Sequence, residues 1–202
     1  MSVAFVLGNG TSRKDIPLEP LRQYGKIYGC NAIYRNFDCD YLVAVDAKMV
    51  LEIAQSNYQM RIPVWTNPNK TFKDIKGLNF FNPSKGWSSG PTALDLATYH
   101  QHDTFYILGF DFKGTTGTGG NEDRVNNLYA GTLNYKGENE QATYYGNWER
   151  QTGIIAQRNH TKRYIRVVKE GDDFCPKSLK KFSNFTHTVS YTHLTLPTIC
   201  SV

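Results

Sequence analysis

The residues best suited to chemistry lie where apolar runs end. Gly8, Asn9 and Gly10 directly follow the run Val3–Leu7, VAFVL. Glycine at a strand end lets the backbone turn tightly and approach a phosphate or a ribose closely. The local pattern is neither GxGxxG nor GxxxxGK followed by Ser or Thr, so an ordinary turn after a buried strand explains it equally well. A second set surrounds 88–112, SSGPTALDLATYHQHDTFYILGFDF. Ser before Gly-Pro reads as a helix start with Pro91 at the first helical position, and Gly109, Phe110 and Asp111 follow a strand-like run. Open parallel sheets place their ligands at such element ends. His100 and His102, in YHQHD, read as residues of a surface turn between helix and strand. Cys30, Cys39, Cys175 and Cys200 show no CxxC spacing and no histidines set for zinc. They read as free thiols in a reducing compartment, with no metal site.

The elements that must position these residues alternate short apolar runs with helix-like segments, the signature of a parallel sheet covered by helices on both faces. Strands are expected at Val3–Leu7, 26–29, 41–45, 62–66, 78–81, 104–108 and 164–168, the last of these closing the set. Pro63 cannot donate to a ladder, which places 62–66 at a sheet edge. Helices are expected at 47–56, with Met49, Val50, Ile53 and Ala54 on one face, at 92–100, and at 148–157. Residues 113–146 form a long, mobile, lid-like excursion, opened by the Gly/Thr-rich run KGTTGTGG; loops of that length in compact domains are commonly functional.

With 202 residues, 40% apolar and 20% charged, the chain fits one globular domain with a sizeable core. A net charge of +5 suits an anionic ligand, but Lys and Arg are spread along the chain, so no nucleic-acid partner is expected. No stretch approaches the roughly 20 apolar residues of a membrane span, and no signal-peptide pattern opens the sequence; a cytoplasmic protein is expected. Residues 189–202 carry no charge at all, and Val189–Thr198 (VSYTHLTLPT) reads as a translated transposase-end sequencing adapter. The domain is therefore expected to span 1–188, followed by a non-native tail.

Four stretches in order, GNGTSRKD (8–15), GCNAIY (29–34), SSGPTALDLA (88–97) and ILGFDF (107–112), resemble the bacterial sialyltransferases of glycosyltransferase family 42 and their relatives. The resemblance covers residues 3 to about 168 and implies a Rossmann-like α/β domain that binds a CMP-activated sugar without a metal. It implies that Gly8, Asn9 and Gly10 hold the phosphate or ribose and that Asn31 contacts the nucleotide or sugar. It also puts Ser89, Gly90 and the Asp111 strand end beside the donor. Asp46 falls where the family has an Asn near the donor sugar, which argues against a sialic acid carboxylate beside it. As residues, Asp46 reads equally as a helix cap, Asn31 as a turn residue and Ser89 as a cap.

Two tyrosine hydroxyls meet the leaving phosphate in the family. Lys113 stands at the first position here, and Tyr129 is the candidate for the second, with solvation and packing as their plain alternatives. The family's catalytic His maps to Asn147 in YYGNWERQ, which has no usable pKa and can instead cap a helix. Glu149 and His160 are the substitute proton acceptors. The expected activity is metal-independent glycosyl transfer from a CMP-linked donor to the hydroxyl of a glycan or other acceptor, by a monomer or a homo-oligomer. An inactive nucleotide or sugar-nucleotide binder, and a sugar-nucleotide hydrolase, are the alternatives.

Overall fold

The computed structural model describes residues 1–116, 122–172 and 174–190. The end of the Gly/Thr-rich run, residues 117–120, lies outside them, as do Cys200 and residues 191–202 of the tail. Eight strands make one sheet: β1 (Val3–Leu7), β2 (Lys26–Cys30), β3 (Tyr41–Val43), β4 (Val64–Thr66), β5 (Leu78–Phe80), β6 (Thr104–Leu108), β7 (Arg163–Lys169) and β8 (Phe185–Ser190). Their order is β5-β4-β3-β2-β1-β6-β7-β8, and every neighbouring pair is parallel. The chain winds outward from β1 to β5, then returns to β1's other side at β6. This is a Rossmann-like α/β sheet, and its switch point lies between β1 and β6, where such sheets open a crevice beyond the strand carboxyl ends.

The central strands read as unbroken apolar runs because both of their faces are covered. Ala4 and Val6 of β1, with Phe105 and Ile107 of β6, face a core shared with Leu94, Ala97 and Ile155. Phe5, Leu7, Tyr106 and Leu108 face the other core, with Val50, Ile53, Leu21 and Ile33. Helix α2 (Ser89–Tyr99) and helix α3 (Gly146–Arg158) supply the first layer. Helix α1 (Ala47–Gln55) and several 3-10 turns supply the second. Burying each Phe, Leu, Ile or Val side chain contributes about 1.5–3 kcal/mol, so both faces are needed to hold strands this short.

Several local expectations need correction. Strand β4 is interior, not at an edge: Pro63 precedes it, and its carbonyl accepts from Leu42 N at 3.0 Å. Helix α2 begins at Ser89, so Pro91 is its third residue, a place where the missing N–H would have had no intrahelical partner anyway. Strand β7 is not the last. Strand β8 lies beside it and pairs Val189 and Ser190 with Val168 and Lys169. FTHTVS holds only two apolar residues, Phe185 and Val189, and has no flanking turn glycine, which hides it. A short helix α4 (Lys177–Lys180) precedes it. No helix among the described residues is long and apolar enough to cross a membrane.

The described part of 113–146 is tied down where it crosses the sheet's carboxyl edge. Leu128 N donates to Asn9 O at 2.8 Å, and the Asn126 side chain bonds Thr11, Asp111 and Lys113 O. Farther out, Arg35 donates to Thr132 Oγ1 and Leu133 O while pairing with Glu52, which also accepts from Tyr34 and Asn134. Burial raises the Glu52 pKa, but the hydrogen bonds from Arg35, Tyr34 and Asn134 outweigh it and hold the carboxyl below its ordinary value.

A close backbone-to-backbone contact joins the ends of β1 and β6. A Cβ on Gly8 would lie 2.5 Å from Gly109 O, and one on Gly109, whose φ is +70°, would lie 2.6 Å from Gly8 O. Overpacking and a left-handed backbone both penalise a side chain there. Gly109→Ala should therefore lower unfolding stability by roughly 2–4 kcal/mol in urea titration. A loss below about 0.5 kcal/mol, the scale of an ordinary surface change, would show that the two turns do not need to touch.

Candidate functional site

The crevice at the β1/β6 switch is a cavity of about 500 Å³, within the size range of small-molecule sites. Its floor is the strand ends: Asn9 and Gly10 after β1, Cys30 and Asn31 after β2, Val45 and Asp46 after β3, Gly109 and Asp111 after β6. Its wall is the start of α2 (Ser88, Ser89) and of α3 (Asn147, Trp148, Gln151), and its cover is Asn126, Asn134, Tyr135, Lys136 and Tyr144 of the crossing segment.

Much of the floor is braced by groups that never enter the cavity. Arg13 is 4% exposed; its guanidinium donates to Gly8 O at 2.5 Å and to Asn9 Oδ1 at 3.0 Å. It forms no ion pair among the described residues. Asn9 in turn donates to Cys30 O at 3.1 Å, linking the ends of β1 and β2. Asp111 accepts from Ser12 N at 3.1 Å, from Ser12 Oγ and from Asn126 Nδ2 at 2.9 Å. A Cβ on Gly10 would lie 2.5 Å from the Asp111 carboxylate, so Gly10 is required by that packing. Arg166 of β7 is 1% exposed and donates to Phe110 O at 2.6 Å, Phe174 O at 2.7 Å and Asp111 O at 3.2 Å. Burial pushes its pKa down, with Asp111 and Asp172 opposing.

Other expected site residues are placed differently. Ser89 lines the cavity, and its Oγ accepts from Val45 N at 3.1 Å. Gly90 does not line it; a Cβ there would lie 2.3 Å from the Trp148 ring, so this glycine serves the packing of α2 on α3. Lys113 is turned away, its ammonium 2.7 Å from Asp172 and over the Phe174 ring. Tyr129 is buried and donates to Asn36 at 2.6 Å. The phenols that reach the cavity belong to Tyr135, Tyr144 and Tyr145. Asn147 lines it and is exposed. Glu149 instead accepts from Ser178 Oγ. His160 is exposed beyond the opposite end of α3, about 20 Å away at 1.5 Å per residue. His100 and His102 lie near the other edge of the sheet, half-buried, each within 2.9 Å of the Tyr28 hydroxyl.

Two polar side chains at the strand ends that floor the cavity remain uncommitted. Asn31 adopts a left-handed backbone, φ +53°, and its Oδ1 is buried with no hydrogen-bond partner. An unsatisfied buried acceptor costs about 1–3 kcal/mol, and a ligand N–H or O–H would relieve it. The Asp46 carboxylate precedes α1 but makes no capping bond and no ion pair among the described residues. Together the cavity offers first-turn N–H groups of α2 and α3, which favour an anion, with amides and phenols suited to a polar, hydroxyl-bearing ligand. No group of three or more His, Cys, Asp or Glu among the described residues is placed to hold a metal ion.

No family model, curated protein or solved structure matches this chain.

Because Asn31's amide is not a brace, Asn31→Gly should keep the unfolding free energy within about 1 kcal/mol, relief of the left-handed backbone offsetting the added unfolded-state entropy. A larger loss in urea titration would make the amide structural. Behind Arg166, His187 of β8 faces that guanidinium at 3.5 Å, and burial first, then Arg166, push its pKa down to about 4. The folded state thus binds fewer protons than the unfolded chain between that value and an ordinary His pKa near 6.5. Stability should fall as pH drops through this window, and His187→Gln should flatten the fall; an unchanged slope in pH-dependent melting would contradict it.

Proposed function

We propose that the β1/β6 cavity binds a CMP-linked sugar and that the chain transfers the sugar to an acceptor hydroxyl. The observation that carries this reading is the convergence on one cavity of four strand ends, GNG, CN, VD and GFD, with the N-termini of α2 and α3. Those helix ends suit a phosphate, and the likeness of the first, second and fourth stretches and the α2 start to family 42 sialyltransferases supplies the nucleotide class. Transfer of this kind draws on positioning and on stabilising the leaving phosphate. Tyr135, Tyr144, Tyr145 and Lys136 are the groups in reach for the second task, in place of Lys113 and Tyr129.

A second reading has a specific observation behind it. Asn147 occupies the cavity wall at the start of α3, where an imidazole would be the expected proton acceptor, so a chain that binds the nucleotide without catalysing transfer fits the same geometry.

Melting curves with CMP separate these readings from none at all. At a hundred times its dissociation constant, CMP adds about 2.7 kcal/mol, which for a chain of this size is roughly 5–11 °C. CMP release from a CMP-sugar in the presence of hydroxyl acceptors then marks the transferase. A thermal shift with no CMP release above background supports the binder, and no shift with CMP contradicts both.

A further inference from the structure

We infer that Asp46 is the proton acceptor of the transfer, standing between the donor cavity and an adjoining acceptor cavity. The inference rests on the transferase reading above. A second cavity of about 450 Å³ lies beside the first, lined by Ala47, Lys48 and Met49 of α1 together with Asn31, Asp46, Asn134 and Tyr135. The last four line both cavities. They form the boundary across which a group would pass from one ligand to the other.

Elimination singles out Asp46 among them. Inverting transfer needs a group to take the acceptor proton, and the side chains that do this work are mainly His, Glu, Asp, Lys, Tyr and Cys. No His or Glu among the described residues lines either cavity, and the carboxylates that do are Asp46 and Asp111. Asp111 is committed to Ser12 and Asn126. Burial raises the phenol pKa of Tyr135 and the thiol pKa of Cys30, against their acting as bases. Lys136 donates to Gln141 O. Asp46 alone combines a carboxylate, both cavities and no side-chain partner. As the residue before α1, its backbone is fixed by Val50 N donating to Asp46 O at 3.0 Å, so the carboxylate projects from a rigid helix start.

The step balances without a further reactant. The acceptor O–H bond breaks and its proton passes to the Asp46 carboxylate. The acceptor oxygen forms a bond to the anomeric carbon, and the bond from that carbon to the phosphate oxygen breaks. Its electron pair leaves on CMP, and the proton on Asp46 is later released to solvent. The second cavity suits a polyol or sugar as acceptor, met by the Asn31 side chain, Asn134 and the Tyr135 ring, with its hydroxyl beside the Asp46 carboxylate.

Asp46→Asn and Asp46→Ala test this, and both should fold because the side chain makes no hydrogen bond. CMP release from CMP-N-acetylneuraminate and from CMP-3-deoxy-manno-octulosonate is followed with lactose or water as acceptor, beside CMP melting curves. The expected result is an unchanged CMP thermal shift, a loss of turnover on the order of 10²–10⁴-fold, and at least partial rescue of Asp46→Ala by formate, which a positioning role would not give. Turnover of Asp46→Asn within about threefold of the unsubstituted protein, or above it, would overturn the base assignment and leave the transferase reading standing. No turnover by the unsubstituted protein with either donor would overturn both, while a retained CMP shift would keep the nucleotide site.

Discussion

Two buried guanidinium groups brace the floor of the cavity, Arg13 at the end of β1 and Arg166 at the end of β6, while Gly8 N donating to Leu108 O and Gly10 N to Gly109 O join the two ends. Arg13 bonds the carbonyl of Gly8 and the amide of Asn9, and Arg166 bonds the carbonyls of Phe110 and Asp111. Strand ends leave carbonyls without ladder partners, and burying them unpaired is costly. Here the acceptors are carbonyls rather than carboxylates, so positive charge lies directly behind the glycine turns. Removing a cation from water is itself expensive. Three carbonyl bonds on Arg166 and the cover of Phe112, whose ring lies 5.4 Å from that guanidinium, offset the cost.

From that brace the site follows outward. Gly8 and Gly109 are brought back to back, Asp111 clamps Ser12 and Asn126, and Asn126 carries the crossing segment over the cavity. The polar groups that look most functional in this region are thereby used in holding one another. The groups left over, Asn31 Oδ1 and the Asp46 carboxylate, stand at the ends of the next two strands. For the proposed CMP-linked sugar, this division of labour leaves the helix starts for the phosphate and Asn31 and Asp46 for the sugar.

The alternation of apolar runs and helical segments made the parallel sheet and seven of its strands legible in the sequence, because central parallel strands must be apolar on both faces. The strand-end loops were legible for the same reason, since they begin where those runs stop. Arg13 and Arg166 were not. In SRKD and YIRVV a basic residue reads as solvated, and only carbonyls 5 to 56 positions away in the chain reveal its burial. Lys113 and Tyr129 sat at plausible spacings, yet Asp172 and Asn36 claim them. Those partners lie far off in the chain and carry no local signal. Strand β8 was hidden because an edge strand needs only one apolar partner face, so FTHTVS shows too little hydrophobicity to stand out.

The proposed nucleotide site in the β1/β6 cavity carries its own reporters. Trp87 and Trp148 line the cavity, and Trp65 does not. Titration with CMP should give a saturable change in tryptophan emission at one CMP per chain, lost when Trp148 is replaced by Phe together with Trp87, and kept when Trp65 alone is replaced. An emission that stays flat up to millimolar CMP, or that saturates only through Trp65, would rule out a CMP site in the β1/β6 cavity.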